Sequence, residues 1–299
     1  GRVDLSDMPV FKLSETELLR RFLKKNHDFR HKKSVPNKRV LIRDGWGSYY
    51  PVVDIDRNYA SMVGIANVST PSYVPVLGHP DDAVSSYLWA YGGGGGSPQG
   101  MLGVATSTDY ANNRMNAVFT TGYGSYWHDW DVTDSFFRAP LAGDGAGLGC
   151  LYARGGWYLH DMGLGRTIGS AVRRSMSRKW EQSGSAVRLH QSLMGDPSLR
   201  ASYVAPPTDV TLSGATVSWG ASPDAVAGYH VYRQDGGTGA FNRLDHVGTT
   251  NLVAGTAFTD PSPAAQGVYM VRAVKLESCP SGLFYNPSQG VTVSYPAQQ

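Results

Sequence analysis

The sequence predicts an α/β domain followed by an all-β sandwich, and three observations carry that prediction. Short apolar or β-branched runs recur at Arg39–Arg43, Ser85–Tyr91, Ala117–Thr121 and Gly147–Tyr152, with helical or loop-forming stretches between them. Such runs suit strands buried inside a layered α/β fold. From Asp209 onward the periodicity changes to two, in short segments bounded by Gly, Pro and Asp, which suits a sandwich. Between these regions, Tyr203–Thr208 carries the proline pair Pro206-Pro207 of an interdomain linker. The expected organisation is an α/β domain over 1–203, a linker over 204–208 and a β-sandwich over 209–299.

Length and composition set outer bounds. At 299 residues the chain is long enough for two domains with separate cores. Charged residues make up 17%, with 36 Gly, 17 Tyr and 7 Trp, a balance that points to an extracellular, loop-rich protein. The formal net charge is only +3 and Lys and Arg are not gathered on one element, so nothing points to nucleic acid. The densest basic stretch, Arg20 to Arg39, reads as the solvated face of a helix and its exit. Cys150 and Cys279 fall in different predicted domains and offer neither a metal-binding spacing nor an expected disulfide. No run approaches the roughly 18 apolar residues needed to span a bilayer. An export signal is expected upstream of Gly1, removed before maturity.

Taken in order, Ser14-Glu15-Thr16-Glu17 has the form of a capping box. It opens a helix whose expected apolar face is Leu18, Leu19, Phe22 and Leu23 and which ends near His27–Arg30. Arg39–Arg43 is a strand running into an Asp44-Gly45-Trp46-Gly47 turn. Ser48–Ser61 reads as a polar, Tyr-bearing loop with at most one helical turn, and Met62–Val68 and Tyr73–Leu77 as weak strands. The strand Ser85–Tyr91 is expected to stop at five consecutive glycines, Gly92–Gly96. No Gly-Lys-Ser/Thr follows them, so a flexible strand exit is favoured over a phosphate loop. Ser135–Ala142 and Gly165–Met176 read as helices, the second with Ile168 and Val172 inward. Val187–Met194 is a short helix or strand. In the second domain strands are expected at Val210–Leu212, Thr216–Trp219, Gly228–Arg233, Asn242–Val247, Ala257–Thr259, Tyr269–Val274 and Gly290–Ser294, with Trp219 and Tyr229 in the core.

The stretch Ala117–Gly169 draws most attention. Its first strand ends in Gly122-Tyr123-Gly124-Ser125, followed by Tyr126, Trp127, His128, Asp129, Trp130 and Asp131. Open α/β sheets bind ligands beyond the carboxyl ends of their strands, so chemistry is sought in this loop first. Ser125 with His128 or His160 and Asp129 has the residue types of a nucleophilic triad. Tyr123, Tyr126, Trp127 and Trp130, and Tyr49-Tyr50 elsewhere, have the amphipathic rings of a contact surface. Calcium at Asp129, Asp131 and Asp134 is conceivable, yet no closing Glu gives an EF-hand spacing, and no metal or cofactor is expected. Cys150, inside a strand, reads as a small buried hydrophobe.

Two resemblances sharpen these expectations. Pro206-Pro207, Val217-Ser218-Trp219, Gly228–Arg233 and Tyr269–Val274 together resemble a fibronectin type III domain, a module that serves mainly as a spacer or adhesive unit. Over the first ~200 residues, Gly1-Arg2-Val3 with its helix, Ala146–Leu151, and Leu193–Arg200 (LMGDPSLR) resemble the later part of a gingipain-like cysteine peptidase domain, a caspase-type α/β/α fold. In that family the strand matching Ser85–Tyr91 leads into a Gly-His-Gly loop with the catalytic His. The nucleophilic Cys follows the strand matching Ala117–Thr121. Here Tyr91-Gly92-Gly93-Gly94 and about Ser125 stand in those places, so the resemblance implies a domain that has lost both members of its dyad. An unassisted serine is almost entirely hydroxyl and does no acyl transfer without a base within about 3 Å.

The resemblance also implies a further strand-helix unit ahead of Gly1, without which a sheet edge would stand open. The expected partners are therefore the N-terminal remainder of the same precursor or neighbouring subunits. The function expected is that of a secreted or cell-surface binding or assembly scaffold built on a degenerate peptidase-like domain. Its rival is an extracellular hydrolase using Ser125.

Overall fold

The computed structural model describes residues 2–45, 53–70, 86–153, 157–183, 191–236, 239–245 and 252–295. It is a mixed α/β structure of two compact units. One comprises Gly1–Asp28, Ser34–Ala201 and Cys279–Gly282, the other Phe29–Lys33, Ser202–Ser278 and Leu283–Gln299.

The helices and strands of the first part of the chain are α1 (Glu15–Arg30), β1 (Val40–Asp44), α2 (Val53–Val63), β2 (Val68–Ser69), β3 (Tyr87–Gly93), β4 (Gly96–Ser97), β5 (Gly100–Met101), β6 (Ala105–Thr106), α3 (Ser107–Asn112), β7 (Ala117–Tyr123), α4 (Ala139–Ala142), β8 (Gly149–Ala153), α5 (His160–Gly163), α6 (Ile168–Ser183) and β9 (Gln191–Gly195). Six of the strands form one sheet in the order β2-β1-β3-β7-β8-β9. All neighbours are parallel except β9, which runs antiparallel to β8. β3 and β7 are central and buried along almost their whole length. Trp89 packs between Tyr59 and Phe119, at ring distances of 5.6 and 4.8 Å, and its indole N–H donates to the Thr121 hydroxyl (2.7 Å).

The capping box at Ser14 forms as expected: the Ser14 N–H and hydroxyl donate to Glu17 at 2.8 and 2.6 Å. The inward stripe of α1 differs from expectation. Leu18 and Phe22 are buried, but Leu23 is 62% exposed, because a residue one step past Phe22 lies about 100° further round the helix. From the same helix, Arg21 donates to the Ala142 carbonyl, and Lys25 to those of Leu141 and Gly143 (2.8–3.1 Å). Side-chain donors from α1 thus satisfy the open carbonyl end of α4; burial and the neighbouring Arg21 charge pull the Lys25 pKa down to about 7.

Four expectations are corrected here. Met62–Val68 is not a strand: Met62 and Val63 close α2, Ile65–Asn67 form a 3-10 turn, and only Val68 enters β2. Ser48–Ser61 is not mainly loop: its described part enters α2, an 11-residue helix with Tyr59 and Met62 buried. Together α2 and β2 supply a helix-and-edge-strand unit beside β1. β2, two residues long, is the outermost strand on this side of the sheet. At the opposite edge Arg2 bridges Met194, and the Gly195 N–H donates to the Arg2 carbonyl (2.7 Å). Ser135–Ala142 is helical only over Ala139–Ala142, preceded by turns in which the Arg138 and Ala139 N–H groups donate to the Ser135 carbonyl (3.1 and 3.2 Å). The helix expected at Gly165 begins at Ile168 and continues to Ser183, with Ile168 and Val172 buried as expected. Tyr73–Leu77, Trp46-Gly47 and 187–190 lie outside the described residues.

The second unit contains β10 (Thr208–Ser213), β11 (Thr216–Gly220), β12 (Gly228–Asp235), β13 (Asn242–Arg243), β14 (Ala257–Thr259), β15 (Gly267–Cys279), β16 (Gly282–Pro287) and β17 (Val291–Tyr295). One sheet runs β10-β11-β14. The other runs β13-β12-β15-β16, with β17 also on β15. Val204, Val217, Val231, Val271 and Ala273 fill the core around Trp219 and Tyr229, whose rings lie 5.2 Å apart. The alternation in Gly228–Arg233 and Tyr269–Val274 is the reason: inward residues of facing strands meet every second position. β15 is longer than expected and β16 was not foreseen.

Candidate functional site

The chain leaves β1 outward to β2 and returns through β3, so the topological switch point lies between β1 and β3. Ligand crevices form beyond the carboxyl ends of strands at such a point. Here that place is filled. The antiparallel meander β4-β5-β6 folds back over it, and the Leu102 carbonyl lies 2.7 Å from where a Cβ would sit on Gly45 and 2.5 Å from one on Gly94. Within the five-glycine run, Gly94 and Gly96 are therefore tightly packed against main chain. Gly92 and Gly93 continue β3, paired with Arg43 and Asp44 on one side and Gly122 and Tyr123 on the other. The Gly93 carbonyl accepts from the Gly45 N–H (2.5 Å), and the Gly94 N–H donates to Tyr123 (3.2 Å). A side chain at Gly94 would meet main chain, and no imidazole stands in this stretch.

The end of β7 is sealed in the same way. A Cβ on Gly122 would meet Trp127 Cζ2 at 2.6 Å and Met101 Cε at 2.8 Å; one on Gly124 would meet the Gly94 carbonyl at 2.5 Å. Trp127 is fully buried, edge-on to Phe136, Phe137 and Tyr152 at 5.3–5.7 Å. It is a core plug and not the contact residue its sequence setting suggested. Apolar area outweighs exposure for so large a ring once glycines leave room for it.

Ser125 is exposed on the turn that follows. Its carbonyl accepts from Trp127 N–H (2.8 Å), and its main chain packs on Gly96. The predicted bases do not converge on it. His128 lies flat on Tyr152, with ring centroids 3.8 Å apart and planes 9° apart, and its Nδ1 is 3.9 Å from Asp129. His160, at the start of α5, is 3.5 Å from Asp161, whose carboxylate accepts two bonds from Arg174 (2.7 and 2.8 Å). Among the described residues no hydrogen bond joins the Ser125 hydroxyl to an imidazole. The alternative triad of Ser125 with His128 or His160 and Asp129 is thus not hydrogen-bonded together among the described residues.

The Asp residues considered for calcium are placed as follows. Asp134 accepts the Val10 N–H (3.0 Å) and donates its own N–H to Asp7, tying the N-terminal segment to this loop. No group of three His, Cys, Asp or Glu side chains is placed for a metal among the described residues. Cys150 is fully buried, and burial pushes its thiol pKa well up, which keeps it protonated and inert. No helix among the described residues is long and apolar enough to cross a membrane.

Two of the four predicted contact residues are exposed. Tyr126 is 64% exposed with φ of 65°, and Trp130 is 40% exposed with the Arg2 guanidinium 4.2 Å above its ring. Tyr123 is half-buried, 6.4 Å from Tyr152. Tyr49-Tyr50 lie outside the described residues. An open cavity of about 420 Å³ adjoins the loop, lined by Gly96, Ser97, Leu102, Thr106 and Asp109 among others. Sequence reasoning missed it. The signal was present in the glycines at 95, 96, 100 and 103 flanking Met101-Leu102, a spacing that permits a compact meander.

No protein-family model matches the chain, and no curated protein matches it.

Proposed function

We propose that this protein is a secreted or cell-surface binding scaffold: a gingipain-like, caspase-type domain without catalytic machinery, followed by a fibronectin type III-like sandwich. The observation that carries this reading is the filled switch point. Leu102, Met101 and Trp127 occupy the ends of β1, β3 and β7, where a peptide-cleaving pair would stand. A serine hydroxyl with no base hydrogen-bonded to it has no route to an alkoxide at neutral pH. The parallel order of β1, β3, β7 and β8 supports the caspase-type assignment. The two-sheet arrangement around Trp219 and Tyr229 supports the fibronectin-type one. Low charge and abundant Gly, Tyr and Trp favour an extracellular setting. Partners would meet the exposed side of the loop, at Tyr126 and Trp130.

The rival hydrolase is separated by rate measurements. The intact protein and its Ser125→Ala variant are assayed side by side on p-nitrophenyl acetate and a fluorogenic peptide library. Equal rates at the level of buffer support the scaffold. A rate abolished by Ser125→Ala establishes the hydrolase in its place.

A further inference from the structure

The sheet edges of the second unit are guarded unequally. β13 and β14 are two and three residues long, and β10 carries Asp209 and a register shift between Thr208 and Thr211. Short strands, charges and bulges are the devices that keep an open edge from pairing. β16 has none of these. It is six residues long, with its one proline, Pro287, at the last position. It ends the strand order of its sheet, and among the described residues no backbone group pairs with its outer side. No Asp, Glu, Lys, Arg or His occurs from 278 to 299.

The side chains of the β15–β16 hairpin are sorted by face. Asn286 donates to the Glu277 carboxylate (3.2 Å), which puts these two residues on one side. Alternation then puts Leu283 and Tyr285 of β16, and Leu276 of β15, on the other. All three are exposed, at 69%, 61% and 48%. Large apolar side chains gathered in water beside an open strand edge mark a surface for strand addition.

The same residues select the strand that fits. Ser278 is the other residue of this face between Leu276 and the turn, so no charge favours an acidic or a basic partner. A second β16 is complementary. With the two strands antiparallel about a two-fold axis at Phe284, each Leu283 stands opposite Tyr285 of the other copy. That is an aliphatic–aromatic cross-strand pair, made twice, and it joins the exposed side chains into one apolar row. The outward N–H and C=O groups of each strand gain partners on the other. A formal net charge of +3 over 299 residues sets little repulsion against a like copy.

We propose that β16 pairs edge to edge with β16 of a second copy, joining two sandwiches through one continuous sheet into a two-fold dimer. This goes beyond the scaffold reading and concerns 276 and 283–287, all of the second unit. Six residues a side fall short of the roughly 20–30 that a stable interface uses on each partner. A weak dimer is therefore expected, with Kd of about 1–100 μM.

Sedimentation velocity of the intact protein from about 1 to 300 μM, a range that brackets that Kd, should show monomer passing to dimer. Leu283→Lys and Tyr285→Lys should each weaken dimerisation by roughly 5- to 30-fold, since the two-fold axis counts each lost cross-strand contact twice. Leu23→Lys, at a comparably exposed apolar side chain on α1, should leave it within about twofold. Circular dichroism confirms that each variant is folded. Hydrogen exchange reads the strand pairing itself: amides of residues 283–286 should exchange more slowly at the top of the concentration range than at the bottom, and equally fast at both in Tyr285→Lys. A monomer throughout, an open-ended assembly, a dimer indifferent to both substitutions, or a dimer that leaves those amides unprotected overturns the proposal. Each of these results leaves the scaffold reading of the first unit in place, which falls only to Ser125-dependent turnover.

Discussion

Trp127 offers the sharpest test of how the site is built. Its side chain is fully buried, in contact with three aromatic rings and fitted against Gly122 and Gly124. Truncating a buried Trp to Ala costs about 3–5 kcal/mol. The Trp127 indole N–H is buried without an acceptor, and removing an unsatisfied donor returns about 1 kcal/mol of that cost. The net expectation for Trp127→Ala is a loss of about 2–4 kcal/mol. At roughly 2–4 °C per kcal/mol for a domain of this size, the melting temperature of the first unit should fall by about 4–16 °C. Trp127→Phe keeps most of the ring area, sheds the orphaned donor, and should cost about 1 kcal/mol. Near-ultraviolet circular dichroism during thermal unfolding reads both variants, with the transitions of the two units fitted separately. A fall of less than about 2 °C for Trp127→Ala would mean that the ring is not the plug of this crevice.

Further consequences follow from neighbouring residues. Gly94→Ala drives a methyl toward the Leu102 carbonyl and should cost about 1–3 kcal/mol in urea unfolding, whereas Gly95→Ala, with its nearest neighbour at 4.0 Å, should change stability by less than about 0.5 kcal/mol. Equal effects at the two positions would contradict the sealed geometry. Tyr126→Gly should stabilise the first unit by about 1 kcal/mol, because glycine adopts the left-handed conformation without penalty; a destabilised variant would show that the Tyr126 ring is held by packing. In the second unit, burial alone would raise the Asp260 carboxyl pKa. The Ser262 N–H, the Tyr269 hydroxyl and Arg233 outweigh it and hold the group below the usual carboxylate value. The folded state therefore favours the anion. Its contribution is complete above about pH 4 and is lost as pH falls through the folded value. Urea midpoints of the wild type should drop on acidification more steeply than those of Asp260→Asn; parallel curves would refute the assignment.

How much of this was legible from the residues depends on whether a feature is local. The capping box at Ser14 and Glu17, the strand at Ala117, and the inward pair Ile168 and Val172 are set by nearest-neighbour chemistry and periodicity, and they form as read. The sandwich core around Trp219 and Tyr229 was legible for the same reason. The failures are tertiary. Trp127 sits in a polar, Gly-flanked run that reads as surface, and only the space left by Gly122 and Gly124 turns the ring inward. Gly92 and Gly93 look like the end of a strand, yet pairing on both sides carries β3 through them. The helix α2 was hidden because Val53–Val63 interleaves apolar residues with Asp54, Asp56, Arg57, Asn58 and Ser61, and its stability comes from burying Tyr59 and Met62 rather than from propensity. That His128 would stack on Tyr152 instead of turning toward Ser125 depended on a strand 24 residues further along the chain.

Inertness of the Ser125 loop is tested most directly by intact-mass spectrometry after exposure of the native protein to an excess of a fluorophosphonate probe. With the crevice filled and no imidazole at the hydroxyl, the mass should remain that of the unmodified chain over hours at neutral pH. A stoichiometric adduct mapped to Ser125, abolished by prior unfolding, would contradict the reading of this domain as a scaffold.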